Sequence, residues 1–519
     1  MSGASSAPIH THPIHIYQNY FTSVLGSPKT LAALLLVFVL LAWGSLYQGH
    51  NWGDDFAAYL LQAQSLLDRS VDDFLAANRF TILESDRTIG PIAYPWGTPL
   101  LLAPILWLSG LDFFALKSLN ILAYLGFLTV LWFGLRRSLG STWGAVFVAL
   151  FACNPALIQS MNQILSDIPF LFFAMLAVML IRRAALNRNG ILPGHPKVDT
   201  LLAGLAAVLP WSIRATGLLF LPYLVYCQAV GNYRNRPVEP GGRSRWKAFL
   251  PATRQQLFEQ LLPYLSMIAA IAAWQLIFPT EGYGERSSTF FDLGSIAGNI
   301  KYYFFLPWEI LQPIPYNRLA FGLCAGLTAA GVWSRLKDDH DLLVYLLLML
   351  APYLPYRFQQ GLRFIFPILP ILLYFLIHGF LWVSRGSNQR WPAAYRRVTG
   401  AGLLLLLGYF IVTAGNAALQ NLSQGRPAPV GPQTIEAQNV MKYIRKHTPA
   451  DRIIIFTNPR ALRLFTGRWS AAISDPARLQ VGDYLLSPNY KTDPMVTNNP
   501  GDLILVYKND RYRLYQIIH

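Results

Sequence analysis

A mainly α-helical, polytopic membrane bundle with a small α/β domain at its C-terminal end is the fold class this sequence predicts. Three observations predict it. The first is composition: of 519 residues, 53% are hydrophobic and 13% charged, whereas soluble domains carry roughly 25% charged residues. The second is spacing. Apolar runs near the roughly 20-residue length that crosses a bilayer recur from Leu31 to about residue 418. The third is a change of character after about residue 420, where short alternating and amphipathic segments replace the long apolar runs.

Residues 1–27 are polar and mixed and read as an N-terminal cytoplasmic tail without a cleavable signal peptide. His10, His12 and His15 have no acid or cysteine nearby and read as tail residues rather than a metal cluster. The transmembrane domain is expected over 28–419. About eleven spans are expected, near 31–47, 115–135, 140–155, 168–183, 200–213, 215–230, 259–279, 317–334, 341–355, 364–384 and 399–418. A long first outer loop, 48–114, separates the first two. Within it, Trp96 to Ser109 is apolar but short, and Pro95, Pro99 and Pro104 punctuate it, so it reads as an interfacial helix that does not cross.

Charge supplies orientation. The net charge of +16 suggests nucleic acid at first sight, but the basic residues are spread over short loops between spans, which excludes that reading. With the N-terminus inside, the inner loops hold 19 Lys and Arg and the longer outer segments of the membrane part hold ten. Asp54 and Asp55 then lie on the outer face. The basic loop from Gly231 to Arg254 reads as an orientation signal, with contact to anionic inner-leaflet lipids as the alternative. Cys153, Cys227 and Cys324 lie in apolar segments and show neither a disulfide framework nor metal spacing. An odd span count puts residues 420–519 outside. A Gly/Pro-rich linker, Gly425 to Pro432, leads to a helix at Thr434–His447, a strand at Asp451–Phe456 and a helix at Ala461–Thr466. A strand at Asp483–Leu486 and a hairpin of Leu503–Tyr507 with Tyr512–Ile518 complete it. No Gly-rich phosphate loop occurs there, so this domain is expected to bind or shield rather than to do chemistry.

The candidate site residues gather on the outer face. NWGDDFAAYLLQAQSLL, residues 51–67, opens with two carboxylates and continues as an amphipathic helix, with Asp55, Tyr59 and Gln62 on one face and Phe56, Leu60, Ala63 and Leu67 on another. Asp54 is expected as the N-cap, with its side chain on the first free N–H groups. Asp167 stands at the outer mouth of a span in SDIP, either as a functional acid or as a cap or ion-pair partner of an outer arginine. Arg214 lies at a tight outer turn and either snorkels or holds an anion. Arg357 and Arg363 precede a span, where guanidinium forks either match phosphate oxygens or anchor the interface. Lys301 lies in the aromatic loop Glu281 to Pro315, which reads as a lid over a site or as an interfacial belt. Tyr94 and Trp96 begin the interfacial helix and form either a rigid wall for a sugar or lipid or a simple turn.

Taken in order, these motifs resemble the GT-C superfamily of integral-membrane glycosyltransferases, and within it the bacterial relatives of protein O-mannosyltransferases and of the lipid A aminoarabinose transferase. Five places carry the resemblance over nearly the whole chain: Asp54-Asp55 with Tyr59, YPWGTPLLLAP, SDIPFLFFAML, IRATGLLFLP and LRFIFPILP. The tail, QNVMKYIRKHTPADRIIIF followed by LFTGR, is also similar to bacterial members. Two departures stand out. Asp55 takes the place of the family's Asp four residues before Tyr, but the acid that follows it is replaced by Phe56, and the extra acid is Asp54. Trp96-Gly97 stand where relatives often have Pro or Lys-Pro.

The resemblance implies a glycosyltransferase of the bacterial inner membrane. It would move one sugar from a polyprenyl-phosphate-sugar donor to a lipid, glycan or protein acceptor on the outer face, with inversion. A phosphate leaving group needs cations rather than a protonating acid, so one carboxylate suffices as base. Asp55 would be that base, with Asp54 beside it, and Asp167 would orient the acceptor. Arg214, Arg357, Arg363 and Lys301 would hold the phosphate, and Tyr59, Tyr94 and Trp96 would contact substrate. No cofactor is required, although the oxygen-only set Asp54, Asp55 and Asp167 would suit a divalent cation. The alternatives are a secondary transporter, which would carry midplane charges and an inverted repeat not visible in this sequence, and a non-catalytic membrane protein that binds sugar or lipid.

Overall fold

The computed structural model describes residues 24–186, 196–235, 251, 253–279, 281–282, 291–311, 316–386, 392–426, 430–488 and 491–519. The three tail histidines, Arg286 and most of the basic loop from Gly231 to Arg254 lie outside the described residues.

The first span is α1 (Pro28–Ser45), capped by the Ser27 side chain on the Thr30 N–H. The stretch expected as the first outer loop, 48–114, is folded. It carries α2 (Asp55–Leu67), α3 (Val71–Glu84) and α4 (Gly97–Ser109), all packed together. The membrane bundle continues with α5 (Phe113–Gly134), α6 (Ser141–Ala152), α7 (Asp167–Ala185), α8 (Pro196–Ile213), α9 (Phe220–Asn235), α10 (Arg254–Ile277) and the short α11 (Ile296–Phe305). It closes with α12 (Asn317–Leu350), α13 (Leu369–Gly386) and α14 (Pro392–Ser423).

A helix lies in every segment expected to cross. Seven of the described helices are long and apolar enough to span a membrane, four fewer than the eleven expected. The difference has a physical origin. Helix α6 has 12 residues, α8 carries Pro210 in its last turn, and α8 and α9 fall outside the seven. Two expected spans merge in the 34-residue α12, which rejoins through non-helical backbone at Asp339. A helix of that length would rise about 50 Å, well beyond a hydrocarbon core of roughly 30 Å.

Backbone contact fixes the crossing of α12 and α13. A Cβ on Gly331 would strike the Phe375 carbonyl, and one on Gly379 would strike that of Leu327. Small residues at such crossings let membrane helices approach without a hydrophobic driving force between them. At the α12 bend an ion cluster is sealed. The Arg182 guanidinium lies 2.6 Å from both Asp339 and Asp341, and Arg335 lies 2.7 Å from Asp339. Tyr374 donates to Asp339 at 2.7 Å and Tyr223 to Asp341 at 3.3 Å.

The C-terminal domain is α/β. Helix α15 (Ile435–His447) leads to β1 (Ile453–Ile455), α16 (Pro459–Thr466), β2 (Trp469–Ala471), β3 (Tyr484–Ser487), β4 (Leu503–Lys508) and β5 (Arg513–Ile517). The sheet order is β2-β1-β3-β5-β4, parallel across β2-β1-β3 and antiparallel across β3-β5-β4. Val440 and Ile444 of α15 pack with Ile454, Leu462 and Leu514 to make its core. Strand β2 was not foreseen, and it is the strand that ties this domain to the first outer loop. Thr81 donates to the Ser470 carbonyl at 2.8 Å, and the Ala472 N–H donates to the Ser85 hydroxyl at 2.9 Å. Asp86 accepts from the Ser474 and Asp475 N–H groups at 2.6 and 2.9 Å. The edge of the sheet is thereby covered rather than left open for pairing.

Candidate active site

A cavity of about 700 Å³ opens between the first outer loop and the bundle. Seven of the sequence-predicted site residues line it: Asp55, Tyr59, Tyr94, Trp96, Asp167, Arg214 and Arg363. They come from the starts of α2, α4 and α7, the turn after α8, and the segment before α13, so elements far apart in sequence converge here.

Helix α2 presents the polar face its spacing predicts. Gln62 holds the backbone of Tyr94 in both directions: its Nε2 donates to the Tyr94 carbonyl at 2.8 Å and its Oε1 accepts from the Tyr94 N–H at 3.0 Å. Thus held, Tyr94 donates its hydroxyl to Asp55 Oδ1 at 2.6 Å and leans on the Tyr59 ring at 4.5 Å. Tyr59 donates to the Ser166 hydroxyl at 2.9 Å, which ties α2 to the N-terminal end of α7. Burial, and next the charge of Asp55, hold the Tyr94 hydroxyl well above its usual range, so it remains a donor at neutral pH. Trp96 is buried and donates from its indole to the Pro279 carbonyl at 2.8 Å. Gly97 is required beside it, because a Cβ there would meet the Ser212 carbonyl at 2.6 Å.

The three candidate acids stand in different situations. Asp55 has a side chain 39% exposed and faces Arg363 across 3.8 Å. Arg363 also donates to Gln360. Asp167 is 8% exposed and forms a direct ion pair with Arg214, the partner the sequence reading had left open. Asp54 does not line the cavity. It stands at the N-cap position but makes no side-chain capping bond. Instead Oδ1 accepts from the Arg460 N–H at 3.1 Å, and Oδ2 lies 3.4 Å from Arg87. Burial raises its pKa, against the nearby charges of Arg460 and Arg87. The expected cap is therefore a clasp: this carboxylate points to the C-terminal domain and away from the helix end. Lys301 and Arg357 are exposed and lie outside the cavity lining. Among the described residues no three potential ligands gather as a metal site. Asp54 and Asp167 are each engaged by arginine, so this acidic set does not fit a divalent cation.

A second cavity of about 660 Å³ is almost wholly apolar and runs between α6, α12, α13 and α14. The two cavities share a wall. Pro352 and Tyr353 line the first, whereas Ala351 and Leu354 from the same turn line the second.

No family model and no curated protein matches the chain. Solved structures do match. ArnT from Cupriavidus metallidurans, bound to undecaprenyl phosphate, superposes with a TM-score of 0.53 at 12% identity, over 94% of this chain and 98% of that one. The same protein in the apo state gives 0.53 at 14% identity, over 93% and 97%. The archaeal oligosaccharyltransferase AglB from Archaeoglobus fulgidus, in complex with an inhibitory peptide and a dolichol-phosphate, gives 0.50 at 12% identity, over 92% and 71%. ArnT and AglB are both membrane glycosyltransferases of the GT-C superfamily. At these identities the likeness is one of fold, and the chain has the GT-C fold.

Proposed function

We propose that this protein is a membrane glycosyltransferase that moves one sugar from a polyprenyl-phosphate-linked donor to an acceptor hydroxyl at the outer face of the membrane. One observation carries the reading: within a cavity large enough for a sugar phosphate, Asp55 is the most exposed of the lining carboxylates and faces the Arg363 guanidinium at 3.8 Å, whereas Glu281 is paired with Arg79 and Asp167 with Arg214. The neighbours of like fold support it, since they hold undecaprenyl phosphate and a dolichol-phosphate.

Asp55 is the general base in this scheme. The acceptor oxygen attacks the anomeric carbon as its proton passes to Asp55. The bond from that carbon to the phosphate oxygen breaks on the opposite side. The configuration inverts, and polyprenyl phosphate leaves with its charge held by Arg363. Tyr94 keeps Asp55 oriented through its hydroxyl. The Arg214–Asp167 pair brings no net charge, so it shapes the polar end of the cavity and leaves Arg363 as the principal cation. The apolar cavity beyond Tyr353 suits the prenyl tail. Helices long enough to cross a membrane support a reaction at an interface, and the charge bias supports the outer face, in this reading that of a bacterial inner membrane.

The test is mass spectrometry of lipids from a strain lacking the protein. One polyprenyl monophosphate sugar should accumulate, and one envelope component should lose that same sugar. An unchanged lipid profile together with an unchanged envelope would contradict the assignment.

A further inference from the structure

Arg460 is the most deeply buried arginine in the C-terminal domain. It is 1% exposed, and its Nε and Nη1 find no hydrogen-bond partner among the described residues. Such a group is expensive. A buried guanidinium with unmet donors costs far more than a solvated one, and the core of a 100-residue α/β domain has no need of it. The side chain does not serve that core. It leaves α16 and runs beneath the first outer loop.

Three contacts show what it reaches. Its backbone N–H donates to Asp54, the residue immediately before Asp55. Its Nη2 donates to the Pro91 carbonyl, three residues before Tyr94. Its guanidinium carbon stands 5.9 Å from the centre of the Tyr94 ring. Gly90 makes room for this arrangement: a Cβ there would come to 2.5 Å from the Tyr94 hydroxyl and 3.0 Å from Arg460 Nη1. Gly90, Pro91, Tyr94 and Asp55 all line the cavity, but Arg460 does not. Arg460 thus grips both strands of chain that carry the hydroxyl–carboxylate pair, one from each side, without entering the cavity.

We propose that Arg460, supplied by the C-terminal domain, is a positioning residue that holds the Tyr94 hydroxyl on Asp55 and so makes that domain part of the catalytic unit. The proposal rests on Asp55 acting as the base. It also revises the expectation that the C-terminal domain only binds or shields. Its cation acts through Tyr94 on the orientation of the base and has no direct role toward donor phosphate.

A double-mutant cycle on the full chain in lipid nanodiscs tests this. The probes are undecaprenyl phosphate-linked hexoses and pentoses, and the readout is release of undecaprenyl phosphate. Arg460→Met should lower kcat roughly tenfold or more with KM changed by less than about twofold, as expected for lost orientation of a base. Tyr94→Phe should do the same. If Arg460 acts through Tyr94, the double variant should be no slower than the slower single variant. Effects that multiply, or an Arg460→Met protein with unchanged kcat, would overturn the proposal. Should Arg460→Met fail to fold, Arg460→Lys replaces it in the cycle, and the same two outcomes decide. An Asp55→Asn protein with full activity would overturn the functional reading and this proposal together. An inactive Asp55→Asn beside a fully active Arg460→Met would overturn this proposal alone.

Discussion

Two clusters in this protein are built from the same kinds of charged group, arginines and aspartates, and differ in how far those groups close on one another. At the α12 bend, Arg182 and Arg335 close on Asp339 and Asp341 at 2.6–2.7 Å, with carboxylates 2% and 0% exposed. In the outer cavity, Arg214 and Asp167 are similarly closed, but Asp55 and Arg363 stand 3.8 Å apart with side chains 39% and 28% exposed. The first cluster satisfies its charges internally and lines neither cavity. The second leaves one carboxylate and one guanidinium partly uncommitted beside open volume. Composition alone would not separate them; the gap of about an ångström and the access to a cavity do. The closed cluster binds helices together, and the open one is where a substrate phosphate and hydroxyl can take over the contacts.

The sharpest way to separate the two is to remove one charge from each. Asp55→Asn should cut transfer by about 10²–10⁴-fold, measured as undecaprenyl phosphate release, and leave thermal stability unchanged. Arg182→Met should do the reverse. It strands the buried Asp341 carboxylate, while Asp339 keeps Arg335, and should cost about 3–5 kcal/mol, seen as a lower melting temperature and poor yield, with turnover of the surviving protein near normal. If Arg182→Met is as stable as the parent, the α12 cluster is not the bolt described here. Next in size, Arg363→Gln should weaken binding of undecaprenyl phosphate about tenfold or more in a direct titration, because a charge-assisted contact is lost. The smallest effect belongs to Lys301→Ala and Arg357→Ala. Both residues are exposed and outside the cavity, and each should change that affinity by less than about twofold. A large loss at either would enlarge the site beyond the cavity.

Much of this molecule was legible in its sequence, for reasons that can be named. Apolar runs report membrane helices because the bilayer sets their length. Helical periodicity placed Asp55, Tyr59 and Gln62 on one face, and that face meets the cavity. The span count was harder to read, since α12 carries two expected spans as one bent helix. Long-range pairing was harder still. Asp54 read as a cap because local rules favour it there, but a backbone N–H 406 residues away takes its carboxylate. Strand β2 is three residues long and lies parallel beside β1, with no alternation long enough to reveal it. The α12 cluster did leave a signal that went unused. Asp338, Asp339 and Asp341 fall between two expected spans, in a stretch that the orientation rule assigns to the inner face and fills with basic residues, and acids in such a place call for a buried partner.

The most direct measurement is a cryo-electron microscopy structure of the full chain in nanodiscs with undecaprenyl phosphate. The account predicts phosphate density within hydrogen-bond distance of the Arg363 guanidinium, on the Asp55 side of Tyr353, with the prenyl chain entering the apolar cavity beyond it. Phosphate bound instead at Lys301 or Arg357, with the Asp55 cavity empty, would contradict it.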